Sequence, residues 1–239
     1  MAFGASFLNS YGAVQIDQDY FNLSYKTKGT VSSITASAFY IMAGFEAPAD
    51  SNMIYFVVDY PSTNTAIVAV TPPTGRALGC LHLINETNTS NPPPSGYKRA
   101  IFYCQGTTAA SISYYVFDNV APTLGDTGYG LQVKNGAGNL VFHSGSPVFR
   151  AKSLVTLSQG NVGATLALPS GRTHAFVFCN PSKGYYSTSA STRLKVVGFE
   201  LTSLTLVTLI GMNNWNPDVA GAVYNQPSLG FVVDVSFLP

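Results

Sequence analysis

The decapeptide FGASFLNSYG at residues 3–12 recurs in outline as YGLQVKNGAG at residues 129–138. Both open with aromatic–Gly, place an apolar residue fifth, Asn seventh and Gly tenth. Two further pairs follow in the same order. MIYFVVDYP (53–61) lies over THAFVFCNP (173–181), and ISYYVFDNVAP (112–122) lies over LGFVVDVSFLP (229–239). Each pair is an apolar or aromatic run stopped by Pro, which cannot donate to a strand ladder. The spacing between partners shrinks along the chain, as small deletions in the loops of a second copy would make it. A backbone that suits one copy must suit the other, so the chain reads as two related units, 1–123 and 124–239.

Within each unit the pattern is antiparallel sheet. Phe3 to Leu8, a turn at Asn9–Gly12 and Val14 to Ile16 form a first hairpin; Leu131 to Lys134, Asn135–Gly138 and Leu140 to Phe142 repeat it. Asn and Gly suit such turns because both tolerate positive φ. Later segments such as NTAIVAV, LVTLS, ATLAL and LTLVTLI are short, β-branched and separated by turn formers. No window of a dozen residues carries a 3.6-residue period with caps. Charged residues make up 10% of the chain, against about 25% in ordinary domains. The expected fold is all-β: two tandem, related antiparallel β-sandwich domains, or small barrels.

The same composition narrows the function. A net charge of +1, with 12 Lys and Arg scattered along the chain, leaves no basic stripe for phosphates, so nucleic acid is not expected as a partner. Residues 1–14 lack the charged and apolar regions of a secretory signal. The most apolar window, 196–212, is broken by Gly198, Glu200, Thr202, Ser203, Thr205 and Thr208, so no membrane anchor is expected. Cys80, Cys104 and Cys179 form neither a disulfide framework nor a metal clip, and are expected as buried free thiols. His82, His143 and His174 lack metal-ligand spacing: His82 and His174 read as partly buried strand residues, His143 as a turn residue. Asp17 and Asp19 form the one tight acidic pair and read as a solvated turn. No nucleophile elbow, zinc-protease helix or phosphate loop is present. The chain therefore reads as non-enzymatic, with no metal or cofactor.

At YGLQVKNGAGNLVFHSGSPVFR (129–150) the sequence resembles a group of small tailed-bacteriophage virion proteins found near tail-tip or fibre genes. Their domains open with Gly-apolar-x-apolar-x-Asn-x-x-Gly-x-apolar-x-apolar and a polar turn. The matching residues are Gly130, Leu131, Val133, Asn135, Gly138, Leu140 and Phe142, with Ser144 in the turn. The first copy keeps Gly4, Phe7, Asn9, Gly12, Val14 and Ile16, with Ala5 at the first apolar place. The resemblance implies a structural part of a phage tail tip, baseplate or fibre-attachment region, made in the host cytoplasm and resident in the virion. Its partners would be further copies of itself and other tail proteins.

Two stretches suit surface recognition. NNWNPD holds the only Trp, with Asn213, Asn214 and Asp218 around Trp215, and an aromatic face beside amide and carboxylate groups suits a sugar ring. GYYSTSASTR carries Tyr185 and Tyr186 in a Tyr- and Ser-rich loop. These residues mark a candidate contact with a host surface glycan or a partner. The plainer alternative is that Trp215 plugs a sandwich end and the Tyr pair caps an interface. NETNTSNPPPSGYKR (85–99) reads as an exposed, Pro-stiffened loop.

Overall fold

The computed structural model describes residues 6–8, 14–17, 23–35, 53–61, 66–84, 92–119, 121, 130–157, 163–179, 183–188, 191–203, 206–213, 225–226 and 228–239. Every regular element among them is a strand, and none is a helix long and apolar enough to cross a membrane. The first half supplies β1 (Ser6–Leu8), β2 (Val14–Asp17), β3 (Ser24–Ser32), β4 (Ile34–Thr35) and β5 (Met53–Pro61). It continues with β6 (Ile67–Thr71), β7 (Ala77–Ile84), β8 (Tyr97–Gln105) and β9 (Ser111–Asp118). The second half supplies β10 (Gln132–Lys134), β11 (Leu140–His143), β12 (Ala151–Leu157), β13 (Thr165–Ala167) and β14 (His174–Phe178). After these come β15 (Lys183–Thr188), β16 (Ser191–Ser203), β17 (Leu206–Asn213), β18 (Asn225–Gln226) and β19 (Ser228–Asp234).

All pairings between these strands are antiparallel. β1–β2 and β10–β11 are separate hairpins. The rest form a six-stranded sheet, β12-β19-β14-β6-β9-β3, and a nine-stranded one, β13-β17-β16-β7-β8-β5-β4, with β15 and β18 attached to β16. Read outward from the centre, the first sheet runs β6, β9, β3 one way and β14, β19, β12 the other. The second runs β7, β8, β5 one way and β16, β17, β13 the other. Among the described residues, the two halves thus mirror each other strand for strand, and β4, β15 and β18 stand outside that correspondence. They meet edge to edge at β6–β14, where Val70 faces Phe176, and at β7–β16, where Leu78 faces Phe199. Both large sheets therefore run across the boundary at residue 123, and the halves share one core.

That mirror order corrects one of the three sequence pairings. MIYFVVDYP is β5, in the nine-stranded sheet, whereas THAFVFCNP contains β14, in the six-stranded sheet. The strand in β5's corresponding place is β13, and β14 answers to β6. β14 is buried on both faces and so are the first four residues of β5, so over those stretches neither has the alternation that would tell one apolar strand from another. The other two pairings fall on corresponding strands, β1–β2 with β10–β11 and β9 with β19.

Strand alternation builds the core. From β5, Ile54, Phe56, Val58 and Tyr60 face the space between the sheets; Val68 and Val70 of β6, Phe176 and Phe178 of β14, and Phe199 of β16 meet them there. Phe176 stacks on Phe199 at 4.6 Å between ring centroids. Each such fully buried side chain contributes roughly 1.5–3 kcal/mol. The opposite face of the six-stranded sheet has a smaller core of Ala69, Phe117, Ala175, Val177, Val233 and Val235. Here the chain just ahead of β12 lies back against the start of β3. Val148 bridges Ser24, the Tyr25 N–H donates to Pro147 O at 2.9 Å and the Phe149 N–H to Leu23 O at 2.8 Å. The sheet's two outer strands are thus joined at one point without closing into a barrel.

Two local expectations change. Cys80 and Cys104 are buried free thiols, but Cys179, one residue past β14, is exposed. Burial pushes Cys104 up to about 12, so it stays protonated. The expected loop 85–99 gives up its last three residues to β8. Arg99 is buried, and its guanidinium donates to both oxygens of Asp59 across the strand pair, at 2.6 and 2.8 Å. A charge buried in a sheet is tolerated only with such a partner.

Candidate functional site

The second-half hairpin explains its motif atom by atom. The Asn135 side chain accepts from the N–H of Ala137 at 3.1 Å and of Asn139 at 2.9 Å, clasping the turn. Gly138 takes the positive φ, +82°, while no described non-glycine residue does. Asn135 therefore works as an acceptor rather than through backbone freedom. Gly130 lets Ser144 approach: an added Cβ would lie 2.6 Å from the Ser144 hydroxyl, which accepts from the Leu131 N–H at 3.0 Å. The motif's apolar places are only partly inside. Val133 is buried, Leu140 and Phe142 are half-buried and Leu131 is exposed, whereas Val141 and His143 are the buried residues of β11. His143 is not a solvated turn residue; its Nδ1 accepts from the Gly145 N–H at 3.2 Å.

The first hairpin pairs Ser6 with Asp17, Phe7 with Ile16 and Leu8 with Val14; the second pairs Gln132 with His143, Val133 with Phe142 and Lys134 with Leu140. The register breaks at the same step in both, between Phe7 and Leu8 and between Val133 and Lys134. Asp17 thus ends β2 rather than lying in a turn. Gly4, Asn9, Gly12 and Asp19 lie outside the described residues.

A second repeated device was not foreseen. β3 bulges between Tyr25 and Thr27, and β12 between Ala151 and Ser153; each bulge carries a lysine. Lys26 reaches Asp118, the last residue of β9, at 3.1 Å, and Lys152 reaches Asp234, the last residue of β19, at 3.8 Å. The sequence signal was an Asp near the end of each run of the third pairing, Asp118 in VFD and Asp234 in VVD, one place out of step in that alignment, together with a Lys in SYKT and in AKSL.

The two ion pairs differ in their surroundings. Asp118 is fully buried and also accepts from the Asn119 N–H. Asp234 lies beside His174, its partner across β14–β19. Burial alone would raise Asp234, but hydrogen bonds from Ser236 and the charges of Arg172 and Lys152 hold it below the usual carboxylate range. His174 is buried more deeply than expected, and both its ring nitrogens lack a partner among the described residues. Burial holds its pKa below the ordinary value, with Lys152 and Arg172 adding to the effect and Asp234 opposing it.

The recognition stretches come together in the backbone. Tyr185 and Tyr186 sit in a hairpin strand, β15, rather than a loop, opposite Leu194 and Arg193 of β16. Asn213 ends β17 and faces Lys195; Lys195 faces Gly184, and Gly184 faces Asn225 of β18. One row across four strands therefore holds both ends of the segment 213–225, with Tyr185 next to it. Trp215, Asn214 and Asp218 themselves lie outside the described residues. Among the described residues, no group of three or more His, Cys, Asp or Glu is placed to hold a metal ion.

Compared with known proteins, the chain matches no protein-family model, no curated protein and no solved structure. What defines it is its own geometry: an antiparallel two-sheet protein whose halves repeat one strand order.

Proposed function

We propose that this chain is a non-enzymatic structural component of a tailed-bacteriophage virion, in the tail tip, baseplate or fibre-attachment region. It is built by internal duplication and acts through protein–protein interfaces. The observation that carries this reading is the hairpin that begins each half, with the same register and the same bulge position, at the motif that resembles phage tail proteins. The low charge of the chain supports it: sheet edges in isolated proteins are usually guarded by charged residues, and edges destined for an interface need not be. Co-sedimentation with purified tails of the encoding phage tests the proposal. Retention of the chain on tails at stoichiometric amounts is the expected result, and a chain that never joins them overturns it.

A second reading, a glycan-binding module of the tail, is favoured by the row that gathers Asn213, Asn225 and the β15 tyrosines at one end of the nine-stranded sheet. Host-envelope polysaccharide retained by the native chain, and lost in a folded Trp215→Ala variant, is its expected signature.

A further inference from the structure

Asn135 and Gly136 form the only Asn-Gly step in the chain, and it lies in the turn of the second-half hairpin, between β10 and β11. The chemistry open to such a step is intramolecular: the glycine nitrogen attacks the side-chain carbonyl carbon of the asparagine. The turn favours that attack on both sides. Asn135 Oδ1 accepts from the N–H of Ala137 at 3.1 Å and of Asn139 at 2.9 Å, which folds the side chain back over the Gly136 peptide. Donors that stabilise an oxyanion lie about 2.7–3.1 Å from the oxygen on which charge develops, and these two lie there. The nucleophile is open. Gly136 is exposed, an added Cβ there would meet no atom within 4 Å, and its N–H has no acceptor among the described residues. The main chain around the step is pinned, since the Asn135 N–H donates to Asn139 O at 2.9 Å and Asn135 O accepts from the Gly138 N–H at 2.8 Å. Attacking and attacked groups are therefore held close before any reaction.

We propose that Asn135–Gly136 is a self-modification site, at which the folded hairpin promotes its own deamidation. The Gly136 nitrogen gives up its proton and bonds to Asn135 Cγ, the Cγ–Nδ2 bond breaks, and the amide nitrogen leaves as ammonia with that proton. Water then opens the succinimide at either carbonyl, yielding aspartate or isoaspartate at 135. Each product adds a negative charge to the turn. Isoaspartate also routes the main chain through the former side chain, so the acceptor that clasps Ala137 and Asn139 is displaced. The two halves differ here. At the corresponding place of the first motif, Asn9 is followed by Ser10, whose side chain crowds the attacking nitrogen. The inference holds whether or not the chain joins a tail.

Incubation of the full chain at mildly alkaline pH tests it, read by peptide mapping in the mass spectrometer and by enzymatic methylation of isoaspartate. Acid at position 135 is expected before acid at any other asparagine, and sooner in the folded chain than in the same chain held in urea. A folded chain that keeps this amide longer than the unfolded one overturns the proposal, as does conversion at Asn9 that keeps pace with Asn135. Gly136→Ala is expected to abolish the conversion with an unchanged thermal midpoint, because position 136 has open space and no positive φ. Conversion at the native rate in that variant also overturns the proposal.

Discussion

The two halves hold the same bulge, lysine and aspartate in corresponding places and use them differently. In the first half Lys26 closes on a fully buried Asp118 at 3.1 Å. In the second, Lys152 is 42% exposed and stands 3.8 Å from Asp234, with His174 alongside and Arg172 in electrostatic reach. The corresponding place in the first half, one residue before Ile67, is Ala66. The packing partners are exchanged too. Gly29 of β3 lies opposite Tyr114, whereas Val155 of β12 lies opposite Gly230, with Phe199 filling the space over that glycine. One half holds its ion pair close on a fully buried carboxylate; the other holds it at longer range with a half-exposed lysine. Corresponding backbones thus do not impose corresponding environments, because each site is completed by side chains from other strands.

The sharpest way to break this comparison is to remove each lysine. Lys26→Ala removes the cation from a buried carboxylate and should cost about 3 kcal/mol, while Lys152→Ala loses a half-exposed pair and should cost less than about 1 kcal/mol. Urea unfolding followed by circular dichroism measures both, and equal costs would erase the distinction. Next in size is Gly230→Ala. Its Cβ would sit 2.9 Å from Phe199 Cζ and 3.1 Å from Val177 O, an overpacking worth about 2 kcal/mol. At Gly29 the atoms nearest an added Cβ are the hydroxyl and ring tip of half-buried Tyr114, a side-chain end that can swing aside, so Gly29→Ala should cost less, by the same assay. Asn135→Ala frees two turn N–H groups to water and should cost about 1 kcal/mol; Asn9→Ala should match it if the first hairpin uses the same clasp. The smallest effect is a pH slope. His174 has a lowered folded pKa, so the unfolded chain binds its proton first. Stability should be complete above about pH 6.5, the ordinary histidine value, and decline as pH falls below it. His174→Phe should flatten that decline in thermal midpoints measured from neutral pH downward. An unchanged slope would remove His174 from the account.

The hairpin was legible because its chemistry is local: Asn135 and Gly138 act within a few residues of themselves, as turn signals do. Most strands were legible for the same reason. The ion pairs were not, since Lys26 and Asp118 are brought together by a pairing between strands far apart in the chain, and a lone Lys or Asp in a strand carries no mark of its partner. Nor was the recognition row, whose members come from β15, β16, β17 and β18.

By itself, the sequence determined most of the strands, their antiparallel character and the hairpin at the head of each half. Alternation, turn chemistry and proline stops are written within a few residues, so they survive without tertiary context. Only the tertiary structure decided which sheet each strand joins, that both sheets run through the boundary between the halves, and which lysine meets which aspartate. Those outcomes depend on registers between distant strands and on which side chains meet across them.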